Sequence, residues 1–148
     1  MKRLHVHLAV EDLHASKAFY TALFGAPPTV EKPDYMKWQM DDPLVNFAIA
    51  QHEGQVVGID HLGVEVSDGE ELDQLNQSLL AAQQQTVEER GATCCYANSD
   101  KHWASDPQGI SWEFFHTVSE SDVYHADHGP VSKEQGMTRA HSSCCASS

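Results

Sequence analysis

A segment that opens His5-Val-His-Leu-Ala-Val10-Glu-Asp12 returns 56 residues later as His61-Leu-Gly-Val-Glu-Val66-Ser-Asp68. In each copy a histidine starts an alternating strand pattern, a valine follows five residues on, and an aspartate then stands where a helix would be capped. In a chain of 148 residues this leaves room for two related modules sharing one core, and not for two independent domains of ordinary size. Two equivalent histidines on two equivalent strands point to a metal held at the seam between the modules.

Each copy continues in the same way. Asp12 is an N-cap, Leu13, Ser16, Phe19, Tyr20, Leu23 and Phe24 trace a helical face, and Gly25 ends it. Short strand-like runs follow near Thr29-Val30, over Tyr35 to Met40 and over Val45 to Ala50, with Asp42-Pro43 as punctuation. The second copy reads as a strand over Ile59 to Val66, an N-cap at Asp68 with Glu71 in capping-box position, and a helix through Leu72, Leu75 and Leu79 that runs on into the glutamines before Val87. Further strand-like runs lie at Val87-Glu88, Thr93 to Ala97, His102 to Ala104 and Ile110 to Phe115, with the turn Asp106-Pro107-Gln108-Gly109 in the place of Asp42-Pro43. The expected fold is α+β: two pseudo-symmetric βαβββ modules, residues 1–53 and 57–118, forming an open mixed-sheet barrel around a metal site. Residues 119–148 turn to Ser, His, Asp and Gly and end in Cys144-Cys145, which predicts a largely disordered His- and Cys-containing tail.

The net charge of −13 excludes a nucleic-acid surface or an anionic membrane as partner, since both need a basic face. No apolar run is long enough to span a membrane, and Met1-Lys2-Arg3 leads straight into a strand pattern, so a cytoplasmic protein is expected. The four cysteines are two adjacent pairs, Cys94-Cys95 and Cys144-Cys145. Neighbouring cysteines make a strained cross-link, so reduced thiols able to bind soft ions are the better reading.

For the metal, His5 and His61 are the repeat-related ligands, and Glu113, a carboxylate among Trp112, Phe114 and Phe115, is the third. A carboxylate buried there costs several kcal/mol unless a cation compensates it. A lone strand histidine is more often a hydrogen-bonded core residue, and it is the repeat that sets this pair apart. His7 shares the strand face of His5 but has no equivalent at Gly63. The first-module counterpart of Glu113, aligned through the Asp-Pro turns, falls near Asn46 or Phe47, so a fourth carboxylate is missing. Two histidines and one carboxylate leave about three positions of an octahedral ion open, as in non-haem Fe(II) oxygen chemistry, whereas four ligands would suggest isomerase or glyoxalase chemistry. Cys94 and Cys95 offer two sulfurs to a soft centre such as trivalent arsenic, or simply pack on opposite faces of a strand.

These residues resemble the vicinal-oxygen-chelate superfamily of glyoxalases, bleomycin-resistance proteins and extradiol dioxygenases, whose usual start is matched by Leu4 to Leu13, Phe19-Tyr20 and Leu23-Phe-Gly25. Within it, Cys94-Cys-Tyr-Ala-Asn-Ser-Asp-Lys-His-Trp103, Asp106 to Glu113, Lys32-Pro-Asp-Tyr35 and Gly58-Ile-Asp-His61 are similar to the organoarsenical carbon–arsenic lyases. Proteins named as cadmium-induced share much of this pattern. The resemblance covers residues 1 to 117 and implies Fe(II) held by His5, His61 and Glu113, with Cys94 and Cys95 binding the substrate. The implied activity is dioxygen-dependent cleavage of the carbon–arsenic bond of methylarsenite or aromatic arsenicals, giving arsenite. The alternative is a cadmium- or arsenic-binding resistance protein without turnover, and a glyoxalase-type isomerase is disfavoured by the missing fourth ligand. The expected partners are a small trivalent organoarsenical and dioxygen, with a homodimer permitted but not required.

Overall fold

The computed structural model describes residues 1–121, with Cys94 described by its backbone alone. The chain runs β1 (Arg3–Ala9), α1 (Leu13–Phe24), β2 (Val30–Glu31), β3 (Tyr35–Asp41) and β4 (Leu44–Ala50), then β5 (Gly58–Glu65), α2 (Gly69–Ala81), β6 (Val87–Cys94), β7 (Ala97–Ser105) and β8 (Ser111–Glu120). The eight strands form one open mixed sheet in the order β2-β3-β4-β1-β5-β8-β7-β6. Read outward from its centre, the order is the same in both directions.

That centre is the antiparallel β1–β5 ladder, in which His5 faces Gly63, Val6 faces Leu62 and His7 faces His61. His5 and His61 are equivalent positions of the repeat, as are His7 and Gly63, so the first and last of these pairs exchange under a pseudo-twofold axis through Val6–Leu62. β1 also pairs parallel with β4, and β5 parallel with β8. The two outer wings come together at the mouth, where the Tyr96 hydroxyl donates to Asp34 Oδ1 at 2.5 Å and Tyr35 packs with Cys95 and Tyr96. The sheet is therefore curled but not closed.

Strand alternation divides the side chains between two faces. On the outer face α1 covers Met36, Trp38, Val45, Phe47 and Ile49, while α2 covers Val66, Ala104 and Phe114. The inner face carries an unusual load of buried polar groups, among them His5, His7, His61, Asn46, Lys101 and Glu113. A helix-covered apolar shell around a polar interior is how a sheet of this kind builds a binding site.

Caps set the helix starts, since Asp12 accepts from the Ala15 N–H at 2.9 Å and Asp68 from the Glu71 N–H at 2.9 Å. Gly25, with φ 68°, ends α1 in the left-handed conformation that glycine adopts without strain. Three expectations are corrected. Phe19 and Leu23 are each 62 % exposed, because at about 100° per residue the buried stripe of α1 runs through Leu13, Tyr20 and Phe24 and leaves those two to one side. α2 ends at Ala81 rather than running through the glutamines, with Gln83 at φ 60°; Leu79 is the last α2 residue in the core, so a longer helix would bury nothing more. The runs at Val87-Glu88 and Thr93 belong to one strand, β6, interrupted by an irregularity between Glu89 and Ala92 where Gly91 has φ 60°. β8 continues to Glu120, and the expected tail with His125, His128, His141, Cys144 and Cys145 lies outside the described residues. Among the described residues no helix is long and apolar enough to cross a membrane.

Candidate metal centre

Residues two apart on a strand share a face. β1 thus presents His5 and His7, β5 presents His61 and Gly63, β8 presents Glu113, and β7 presents Lys101 to the same interior. His5 Nε2 lies 3.2 Å from His61 Nε2, and Glu113 Oε2 lies 3.7 Å from the first and 3.4 Å from the second. All three residues are buried, and their ligand atoms form a group able to hold one metal ion. For bonds of about 2.1 Å, neighbouring ligand atoms on a divalent ion stand roughly 3.0–3.4 Å apart, so the trio needs at most a small contraction to share one.

Each histidine is turned by its other nitrogen. His5 Nδ1 donates to the Asn46 carbonyl at 3.0 Å, and His61 Nδ1 donates to Asp60 Oδ2 at 2.7 Å. His5 thereby turns an Nε2 lone pair to the shared space, and His61 does so once its Nε2 proton is gone, which is the tautomer a metal requires. Glu113 divides its oxygens: Oε1 sits 2.7 Å from the Lys101 ammonium, itself 2 % exposed, and Oε2 faces the histidines. The donor set of two imidazoles and one carboxylate oxygen fits a first-row divalent metal.

The electrostatics of the three groups differ. Burial, helped by the neighbouring His61, pushes His5 down to about 3, so it stands neutral and ready to ligate. Burial would also lower His61, but its hydrogen bonds to Asp60 and Glu113 and their charges outweigh it and lift the imidazole to about 10. For Glu113 burial works upward and is overcome by Lys101 and His61, which hold the carboxyl well below the usual range. The carboxylate is thus ionised in a buried place, and metal binding must displace a proton from His61.

A cavity of about 40 Å³ opens beside the trio, walled by His5, Glu113, Lys101, Tyr35, Phe115 and Cys95. Phe115 meets the His5 ring edge-on at 5.1 Å, and Trp103 meets His61 edge-on at 5.2 Å, so aromatic surface lies against both histidines. A larger open hollow of about 800 Å³ lies between Val10, Pro33, Gln51 and Val57. Among the described residues it holds no group of three converging ligand atoms, so the smaller cavity is the chemical one.

The thiol pair stands at the tip of the β6–β7 hairpin. Cys94 ends β6 and pairs with Ala97, while Cys95 and Tyr96 form the turn with φ 51° and 63°. Positive φ at both central residues is the hairpin geometry that Asn-Gly usually supplies, so a cysteine and a tyrosine are held there at a cost. The tip is fastened by the Tyr96–Asp34 bond and by the Lys32 ammonium 5.0 Å from the centre of the Tyr96 ring. Cys95 thereby reaches the cavity wall.

Sequence reasoning did not assign Lys101 or Asp60. Lys101 had a local signal, an alternate position on a strand whose neighbours Ser99 and Trp103 are also buried. Asp60 had none, because its neighbour His61 takes the inward position and strict alternation would turn Asp60 away.

The sequence model of the glyoxalase/bleomycin resistance protein/dioxygenase superfamily matches residues 2–114. The chain is 40 % identical over 124 residues to the trivalent organoarsenical cleaving enzyme of Bacillus sp. (strain MD1), covering 79 % of this chain and 74 % of that protein. It is 33 % identical over 145 residues to the cadmium-induced protein CadI of Mycobacterium bovis, covering 98 % and 93 %. In fold it is similar to an extradiol ring-cleaving dioxygenase from B. fuscum, with a TM-score of 0.59, 20 % identity, and coverage of 81 % of this chain and 34 % of that one.

Proposed function

The chain belongs to the glyoxalase/bleomycin resistance protein/dioxygenase superfamily, and from that premise we propose that it is an enzyme cleaving the carbon–arsenic bond of trivalent organoarsenicals with Fe(II) and dioxygen, releasing arsenite and an oxidised organic product. The observation that carries this reading is that Cys95 lines the same small cavity as His5 and Glu113, whose ligand atoms converge with that of His61. A soft-ion ligand in the wall of a cavity that reaches a nitrogen- and oxygen-donor metal site suits a substrate whose arsenic binds sulfur while its carbon faces the metal. The name of the Bacillus relative and the dioxygenase fold point the same way.

In this mechanism His5, His61 and Glu113 would hold Fe(II), and Cys94 with Cys95 would hold the arsenic. When bound, Fe(II) supplies the redox chemistry that lets dioxygen react with a closed-shell substrate. The protein's own part is positioning: the Asn46 carbonyl fixes His5, and Lys101 occupies one Glu113 oxygen so that only Oε2 faces the centre. The hairpin tip presents the thiol of Cys95, and Phe115 and Trp103 pack against the two histidine rings. The size of the cavity favours a small group on arsenic, with methylarsenite the natural first substrate.

The test is arsenic speciation after mixing Fe(II)-loaded protein with trivalent methylarsenite, with and without dioxygen. Arsenite should appear only when iron and dioxygen are both present, with dioxygen consumed. The second reading is sequestration of cadmium or arsenic without turnover, prompted by a likeness over nearly the whole chain to a protein named only as cadmium-induced. Stoichiometric arsenical binding with no arsenite released would select it.

A further inference from the structure

We propose that Asp60 is a positioning residue of the metal centre, delivered there by a β-bulge, and that it fixes His61 as a ligand; this rests on the reading of His5, His61 and Glu113 as an ion site. In the β1–β5 ladder His7 pairs with His61, but the next residue, Leu8, pairs with Ile59, so Asp60 is passed over. An extra residue of this kind leaves the alternation and its side chain is re-aimed. Asp60 therefore turns to the same side as His61, where regular pairing would have pointed it away.

The re-aimed carboxylate has three neighbours. Oδ2 accepts from His61 Nδ1 at 2.7 Å and lies 3.4 Å from His7 Nδ1, while Oδ1 accepts from Gln55 Nε2 at 3.4 Å. One oxygen thus fixes the ring plane and tautomer of His61. The repeat provides the contrast: the position equivalent to Asp60 is Leu4, in a regular stretch of β1, and His5 is turned by a neutral backbone carbonyl instead. The two histidines that the repeat makes equivalent are consequently unequal ligands. An imidazole bonded to a carboxylate is the more basic donor, and losing such a partner costs about 10- to 100-fold in metal affinity. With a side chain 33 % exposed, Asp60 can be replaced without opening the core.

Co(II) is the probe. The full-length protein, freed of metal, is titrated anaerobically with Co(II) for wild type, D60A and H61A, and the exchangeable Nδ1–H protons of ligating histidines are followed by paramagnetic NMR. We expect two such shifted protons in wild type. D60A should bind Co(II) about 10- to 100-fold more weakly and show one shifted proton, that of His5. Wild-type affinity in D60A, or survival of both signals, overturns the proposal. H61A separates the two questions: if it binds Co(II) as wild type does, the metal reading itself fails, whereas loss of binding in H61A with an unaltered D60A removes only the role of Asp60.

Discussion

The two halves of the molecule have the same strand order but fill the space beside the pseudo-twofold axis in opposite ways. In the first half His7 on β1 lies against Ala48 on β4; in the second Gly63 on β5 lies against Glu113 on β8. Large meets small in both, with the large residue on the inner strand in one and on the next strand out in the other. In the second half the small residue is enforced by the backbone, because a Cβ built on Gly63 would come within 2.3 Å of the Glu113 carbonyl oxygen. A duplicated scaffold thus offers one carboxylate position per half, and this chain fills only one of them. The candidate site is asymmetric because the second half places a carboxylate at Glu113 where the first half places Ala48.

The harshest way to break this comparison is to remove the ligand from the half that has it. E113A should abolish metal binding and activity, whereas H7A, its opposite number, should leave metal binding in place. E113A also takes the carboxylate away from the buried Lys101 ammonium and should lower unfolding stability by about 3–5 kcal/mol; E113Q, which keeps the shape, gives the same loss of metal with less damage. Retention of tight metal binding by E113Q, measured by titration, would end the assignment of that ligand.

Next in size is Gly63. G63A should destabilise by about 1–3 kcal/mol through overpacking and displace β8 at the ligand, while A48G in the other half should cost about 1 kcal/mol from added backbone freedom and a small void. Chemical denaturation reads both, and equal costs with unchanged metal affinity would show that the backbone approach at Gly63 does not require glycine.

A smaller effect comes from the fastening between the two wings. The bond to Asp34 lifts the Tyr96 phenol from 10.0 to about 12. A group whose folded value is raised adds stability in full below its unfolded value and loses it as pH rises through the folded one. Wild type should therefore lose stability relative to Y96F between about pH 10 and 12, and at neutral pH the variant should be weaker by only about 0.5 kcal/mol, because the pair is partly solvated. Parallel alkaline limbs for the two proteins would mean that the fastening is not formed in solution.

The smallest belongs to the β7–β8 turn. Asp106 accepts backbone N–H bonds from Ile110 at 3.0 Å and Gln108 at 2.9 Å, which together with its other bonds hold it below its ordinary 3.8 against the opposing effect of burial. Its contribution is present above that ordinary value and fades as pH falls through the folded one. D106N should be slightly less stable at neutral pH and converge with wild type in acid, and a gap that persists or widens in acid would contradict this.

Much of the architecture was legible because its causes are local. Asp12, Gly25 and Asp68 mark helix ends through their own backbone and side-chain chemistry, and the strands announce themselves by alternation. The repeat then supplied the topology and, through His5 and His61, the place to look for a site. What escaped depends on register, which no window of sequence carries. Alignment through the Asp-Pro turns set Asn46 or Phe47 against Glu113, whereas the ladders set Ala48 there. Asp60 was hidden by a bulge, and the turn at Cys95-Tyr96 by residues that seldom adopt positive φ. On α1, Phe19 and Leu23 are as apolar as the residues that are buried, and only the rotation of the helix tells them apart.

The edge-on approach of Trp103 to the His61 ring has an optical consequence. Of the chain's three tryptophans, Trp38 and Trp112 pack on the outer face beneath the helices, while Trp103 touches the centre through one imidazole. Its fluorescence should be quenched when an open-shell ion arrives and should recover when a chelator takes the ion away, with the other two indoles as a steady background. The protein carries its own gauge of occupancy, and W103F would silence it.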